Sequence, residues 1–238
     1  MATFVSQIPE VRRSEWVRLR DIADNALLTG NKSDELSLLA SLLPSLEAIR
    51  AVTTYGELFH FCSTGGSLPL LREVDLAHYD LEGAHDLADL AALFKAAPNL
   101  KKLSIHGLSG DDEEPVGDDD RLLQGDTIIM ANLREIDIRA AALNASTLDQ
   151  LLSACPVVEV FRYASGGSAV GYCQFHPGEM RDVMMRRGKQ LKRVAVDFMY
   201  ADNCEEWDGW DANDMDVIRE DFRRRGIELE VSNLPSTR

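Results

Sequence analysis

The chain has 238 residues, 45% hydrophobic and 27% charged, enough to bury one sizeable core and unlike the composition of a disordered chain. Its 40 Asp and Glu against 25 Lys and Arg give a net charge of −15 and a pI near 4.7, which argues against general binding of nucleic acid or anionic membrane and favours a basic partner. The longest apolar stretch, Leu36 to Leu43, is short and broken by serines, so neither a membrane span nor a secretory signal is expected.

Residues 11 to 29 place Trp16, Leu19, Ile22, Ala26 and Leu27 at helical spacing and stop at Gly30, which predicts an N-terminal helical cap over residues 1–32. Ser33 is then the expected cap of a further helix running to Leu43. Beyond it the chain repeats itself. The segments PSLEAIRA (44–51), PLLREVDL (69–76), PNLKKLSI (98–105), ANLREIDI (131–138), PVVEVFRY (156–163) and KQLKRVAV (189–196) each carry an apolar residue at the third, sixth and eighth places. Their leading residues, Leu46, Leu71, Leu100, Leu133, Val158 and Leu191, are separated by 25, 29, 33, 25 and 33 residues. The last two apolar places alternate with polar ones, the mark of a strand with one buried face.

Helical spacing precedes several of these strands: Leu87, Leu90 and Phe94; Leu148, Leu151 and Leu152, with Ser146 as the expected N-cap; Met180, Val183 and Met184 before Gly188; Met215, Ile218 and Phe222 before Gly226. Arg186-Arg187-Gly188 and Arg223-Arg224-Arg225-Gly226 put cations in the last turn and glycine just past it. Ile227 to Val231 reads as a last, degenerate strand. A helix-turn-strand unit of this size cannot bury its apolar faces alone, so the copies are expected to stack as one structural domain over 33–238.

The L-x-x-L-x-L core resembles a leucine-rich repeat (LRR) protein of the helix-backed kind seen in ribonuclease inhibitor and in fungal F-box-associated LRR proteins. The resemblance implies an α/β right-handed solenoid, with a parallel sheet on the concave face and helices on the convex face. It further implies an adaptor role, including substrate recognition for a ubiquitin ligase. The chain departs from the family where Asn or Cys usually follows the strand: Tyr79, Leu108, Ala141, Gly166 and Met199 stand there instead, and residues 1 to 45 contain no recognisable F-box.

On the concave face the expected partner-binding residues are Arg50, Glu73, Asp75, Lys102, Ser104, His106, Glu135, Asp137, Arg139, Arg162, Arg193 and Asp197, a ladder of mixed sign. The acidity sits in two segments. An insertion at about 109–121 holds Asp111, Asp112, Glu113, Glu114, Asp118, Asp119 and Asp120; residues 197 to 221 hold ten acids, with Trp207 and Trp210 among them as candidate interface anchors. The run Glu206-Trp207-Asp208-Gly209 fails the EF-hand pattern, and Asp214 and Asp216 are expected to cap the helix that follows. A protein that binds basic partners such as histones through these loops is the second reading.

Enzyme motifs are absent. Cys62-Ser63-Thr64-Gly65-Gly66 and Ser165-Gly166-Gly167-Ser168 match no phosphate-binding or nucleophile-elbow pattern and read as turns, and Cys173 with His176 is the one pair that could serve an enzyme. No cofactor and no metal is expected, since the histidines and cysteines lack zinc spacing. The four cysteines, Cys62, Cys155, Cys173 and Cys204, form no CxxC pair and read as reduced thiols, which places the chain in the cytoplasm or nucleus. The expectation is a non-catalytic scaffold that binds another protein, without contact to nucleic acid or membrane.

Overall fold

The repeated apolar places become one row of buried side chains. In the computed structural model, which describes residues 40, 43, 45–53, 65–78, 84–110, 128–166, 177–198 and 212–232, all six segments form strands and a seventh joins them. The main strands are β1 (Ala48–Thr53), β2 (Glu73–His78), β4 (Lys102–His106), β6 (Glu135–Ala141), β7 (Val160–Ser165), β8 (Arg193–Asp197) and β9 (Glu228–Ser232). They pair in chain order as one open, seven-stranded parallel sheet. β3 (His85–Asp86) and β5 (Leu108–Ser109) make a separate two-stranded parallel pair. The helices are α1 (Ala91–Ala96), preceded by a 3-10 turn at Leu87–Leu90, α2 (Ala145–Ala154), α3 (Pro177–Arg187) and α4 (Ala212–Arg224).

Register follows the motif. Ile49, Val74, Leu103, Ile136, Phe161, Val194 and Leu229 pair in succession across the sheet, and Ala51, Leu76, Ile105, Ile138, Tyr163, Val196 and Val231 form the next row. These inward residues share one core with the helical Leu87, Leu90, Phe94, Leu148, Leu151, Met180, Met184, Met215, Ile218 and Phe222. The helices therefore cover one face of the sheet, and among the described residues no helix lies on the other. Full burial of each large apolar side chain among them contributes about 1.5–3 kcal/mol, and the partly buried Ala51, Leu229 and Val231 contribute less.

Backbone geometry repeats as closely as the side chains do. Six times a tight turn ahead of the strand is closed by the leading apolar N–H, as in Leu71 N to Leu68 O (3.2 Å), Leu100 N to Ala97 O (3.1 Å) and Leu191 N to Gly188 O (3.2 Å). The carbonyl one residue further on then accepts two successive N–H groups of the next rung. Glu47 O receives Arg72 N and Glu73 N, Arg72 O receives Lys101 N and Lys102 N, and Lys101, Arg134 and Glu159 continue the series.

Asparagine supports the stack ahead of the strands. Asn99 Nδ2 donates to Pro69 O (2.9 Å), and Asn132 Nδ2 donates to Pro98 O (3.1 Å) and to Asn99 Oδ1 (3.2 Å). Behind the strands, where the resembled family places its own asparagine, backbone bonds serve instead: Gly107 N to Arg139 O (2.8 Å) and Gly166 N to Ala141 O (3.2 Å). The buried Tyr163 hydroxyl adds to them by donating to Ala141 O (3.0 Å) and accepting from Leu143 N (3.4 Å).

Three local expectations are corrected. Ser146 is not the N-cap of α2; Asn144 is, in extended backbone, with its side chain accepting from Thr147 N at 2.7 Å. The carboxamide reaches the third N–H from one turn earlier, so the helix starts at Ala145. Asp214 and Asp216 do not cap α4 either, because that helix begins at Ala212. Asp214 lies in its first turn, where it suits the positive end, and Asp216 pairs with Arg219 at 3.2 Å. The strand at the C-terminal end pairs over five residues with β8, so it is a full seventh strand with a thinner buried face.

The glycines past α3 and α4 work differently. Gly226 has φ +71° and closes a Schellman turn, with Gly226 N to Arg223 O (2.9 Å) and Ile227 N to Phe222 O (2.9 Å). Gly188 is needed for space: a Cβ there would lie 2.2 Å from Leu191 Cδ1 and 2.7 Å from Met184 O. The predicted N-terminal helical cap lies outside the described residues, as do the helix capped by Ser33, apart from Leu43 and the helical Ala40, and the acidic insertion, apart from Ser109 and Gly110. No helix among the described residues is long and apolar enough to cross a membrane.

Two substitutions test this packing. Leu103→Asp places an unpaired charge in the core and is expected to abolish the cooperative transition seen by circular dichroism. Gly226→Ala is expected to lower unfolding free energy by about 1 kcal/mol in urea titration, because only the left-handed backbone opposes it; no atom lies within 4 Å of the added Cβ.

Candidate functional site

The open face of the sheet is built from the alternate residues of each strand. Register sets Arg50, Asp75, Ser104, Asp137, Arg162, Ala195 and Glu230 in one row. Glu73, Lys102, Glu135, Val160, Arg193 and Glu228 form the row beside it, and His106 pairs with Arg139 in the third. The register thus places every partner-binding residue expected on the sheet from the sequence on this one face. Glu228 and Glu230 were not expected there; the motif spacing carried through to Leu229 and Val231 would have found them.

The charges pair across strands. Arg50 meets Asp75 at 2.6 Å, Glu135 sits between Lys102 (3.4 Å) and Arg162 (2.5 Å), and Arg193 meets Glu228 at 3.1 Å. Desolvation pushes the Glu135 carboxyl upward, but the Arg162 hydrogen bond and the Lys102 charge outweigh it and hold its pKa below the usual carboxylate range. Asp137 is the most enclosed acid of the face at 7% exposure, and Arg139 grips it with two hydrogen bonds of 3.0 and 2.7 Å. That bidentate bond, followed by the charge of Asp137, raises the Arg139 guanidinium pKa further.

Arg139 stands at an irregularity. Ile138 pairs with Tyr163 and Ala141 with Ser165, so Arg139 and Ala140 together oppose the single residue Ala164. Ala140 takes φ +49°, a left-handed conformation that L-residues adopt at a cost of about 1–2 kcal/mol. Next to this bulge the face sinks into a cleft of about 550 Å³ between β6 and β9, walled by Asp137, Arg139, Arg162, Asp197 and Glu230. Ala164 and Ala195 also line it, and Ala195 leaves room between the longer Arg162 and Glu230 of the same row.

Two other groups bear on chemistry. Cys155 is buried, and burial pushes its thiol up to about 12, so it holds no thiolate at neutral pH. His78 and His85 lie buried with ring centroids 5.0 Å apart in an edge-on arrangement. Burial, reinforced by the His78 charge, lowers the His85 pKa to about 4. Among the described residues no group of three His, Cys, Asp or Glu side chains is placed to hold a metal ion. Cys173, His176, Trp207, Trp210 and the acids Asp111 to Asp120 lie outside the described residues.

Charge is divided between the framework and the rest of the sequence. The described residues hold 18 Lys and Arg and 18 Asp and Glu, leaving 7 of the 25 bases and 22 of the 40 acids to the segments outside them. The framework is therefore neutral, and the whole net charge of −15 belongs to those segments. Comparison with protein-family models, with curated proteins and with solved structures gives no match for this chain.

Because the folded-state pKa of His85 lies below the unfolded value of 6.5, its contribution is present above pH 6.5 and is lost as pH falls toward 4. Urea titrations across that window should show stability dropping by about 3 kcal/mol, beginning above the range where carboxylates titrate. His85→Gln should flatten the upper part of the curve.

Proposed function

We propose that the chain is a leucine-rich-repeat scaffold that binds another protein on the open face of its sheet and carries out no catalysis. The observation that supports this best is the register: seven parallel strands align their outward charged residues into continuous rows, with a cleft of about 550 Å³ at the β6–β9 end. The paired arginines and acids suit recognition in which charge fixes orientation, while Ala195 leaves room for a partner side chain. A role as the substrate-recognising part of a ubiquitin ligase is the form of this reading implied by the resemblance to F-box-associated LRR proteins.

A photo-reactive residue placed at Ala195 in the cleft tests the reading in cells of the native host. The expected result is a discrete protein adduct from position 195 and none from the exposed Val217 on α4. The adduct should disappear when Glu230→Arg is added. Equal labelling from both positions, or an adduct indifferent to Glu230→Arg, would overturn it.

Binding of basic partners such as histones through the acidic segments is a second reading, favoured by the concentration of the net charge outside a neutral framework. Capture that falls steeply with added salt and survives Glu230→Arg would select it over the sheet face.

A further inference from the structure

The rung carbonyls that stitch the sheet belong to Glu47, Arg72, Lys101, Arg134, Glu159 and Lys192, and these residues form a rim where the chain enters each strand. Three consecutive members are cations. Because each accepts from the next rung, Arg72, Lys101 and Arg134 stand on adjacent strands at the interstrand spacing of about 4.8 Å, a row of roughly 10 Å. All three are exposed. Arg72 and Lys101 have no carboxylate partner among the described residues, whereas Arg134 and Lys192 share the single carboxylate of Glu159. The rim thus has surplus positive charge, four cations against two acids, within a framework whose described residues sum to zero.

We infer that this rim docks a short acidic segment of a partner protein, on a surface separate from the sheet-face cleft. The charge of the rim is complementary to an anion, and its ends limit the anion's length. Glu47 and Glu159 close the row on either side, so it accommodates about three residues of an extended chain at ~3.3 Å each. A long polyanion would run onto those acids. Exposed apolar side chains mark a protein as the source: Leu70 (43% exposed) lies in the turn that leads to Arg72, and Ile129 (57% exposed) just ahead of the turn that leads to Arg134. The occupant is an acidic stretch of two to four residues flanked by apolar ones.

The test uses the full chain and a fluorescein-labelled octapeptide with Glu-Asp-Glu at its centre, a leucine on either side of that stretch and glycine elsewhere, read by fluorescence anisotropy in low-salt buffer. Saturable binding is expected, weakened roughly tenfold or more by Arg72→Glu with Lys101→Glu and left unchanged by Arg219→Glu with Arg223→Glu on α4. Arg72→Gln with Lys101→Gln, which removes charge without adding acid, should give an intermediate loss and keeps the test valid should the reversal variant misfold. Absence of saturable binding to the wild type, or equal loss in both reversal variants, overturns the proposal. Tighter binding of an octamer of thymidylate than of the peptide would assign the rim to nucleic acid. Concentration-dependent self-association in sedimentation that Arg72→Glu with Lys101→Glu abolishes would assign it to the acidic segments of a second copy.

Discussion

From β1 to β8 each rung of this protein is tied to the next by a carbonyl that accepts two successive N–H groups, Glu47 O to Lys101 O and onward through Glu159 O. That bond fixes where each strand starts relative to its neighbour, and parallel strands offered no hairpin turn to do so. A slip of one residue would exchange Leu103 and Ser104, or Ile136 and Asp137, between the core and the open face, so the register and the apolar pattern enforce each other. The arrangement of the face is a by-product: once the inward rows are aligned, the outward rows must be.

The open face then differs along its length for reasons that lie in single residues. Toward β1 it is salt-bridged, with Arg50 on Asp75. Around β6 the left-handed Ala140 bends the strand, Arg139 folds back over Asp137, and the alanines of β7 and β8 leave the space that becomes the cleft. Strain at the bulge and absence of bulk beside it occur together, because the extra residue re-aims Arg139 while the neighbouring alanines fill little space.

Much of the fold was legible because the inward positions of a one-sided strand obey a simple period, and the spacing of Leu46, Leu71, Leu100, Leu133, Val158 and Leu191 repeats it six times. The outward rows followed from the same period. What escaped were features decided across rungs: Asn99 and Asn132 look like ordinary turn residues until stacking brings one amide to the carbonyl of the preceding turn. Asn144 and Ser146 are both plausible caps, and only backbone direction at the start of α2 separates them. The β3–β5 pair has two residues per strand, too few for any periodicity to register. The cleft was hidden because alanine in a strand carries no signal until its neighbours are known to be longer.

In a sheet ordered strictly by chain position, β2, β4, β6, β7 and β8 are each gripped from both sides, while among the described strands β1 and β9 are gripped from one. Cohesion therefore accumulates toward the centre and thins toward the margins, and the outermost strands should open and re-form many times during the life of an intact interior. The cleft spans this gradient, from the firmly held β6 to the marginal β9 that supplies Glu230, so one wall is rigid while the other can yield to whatever enters.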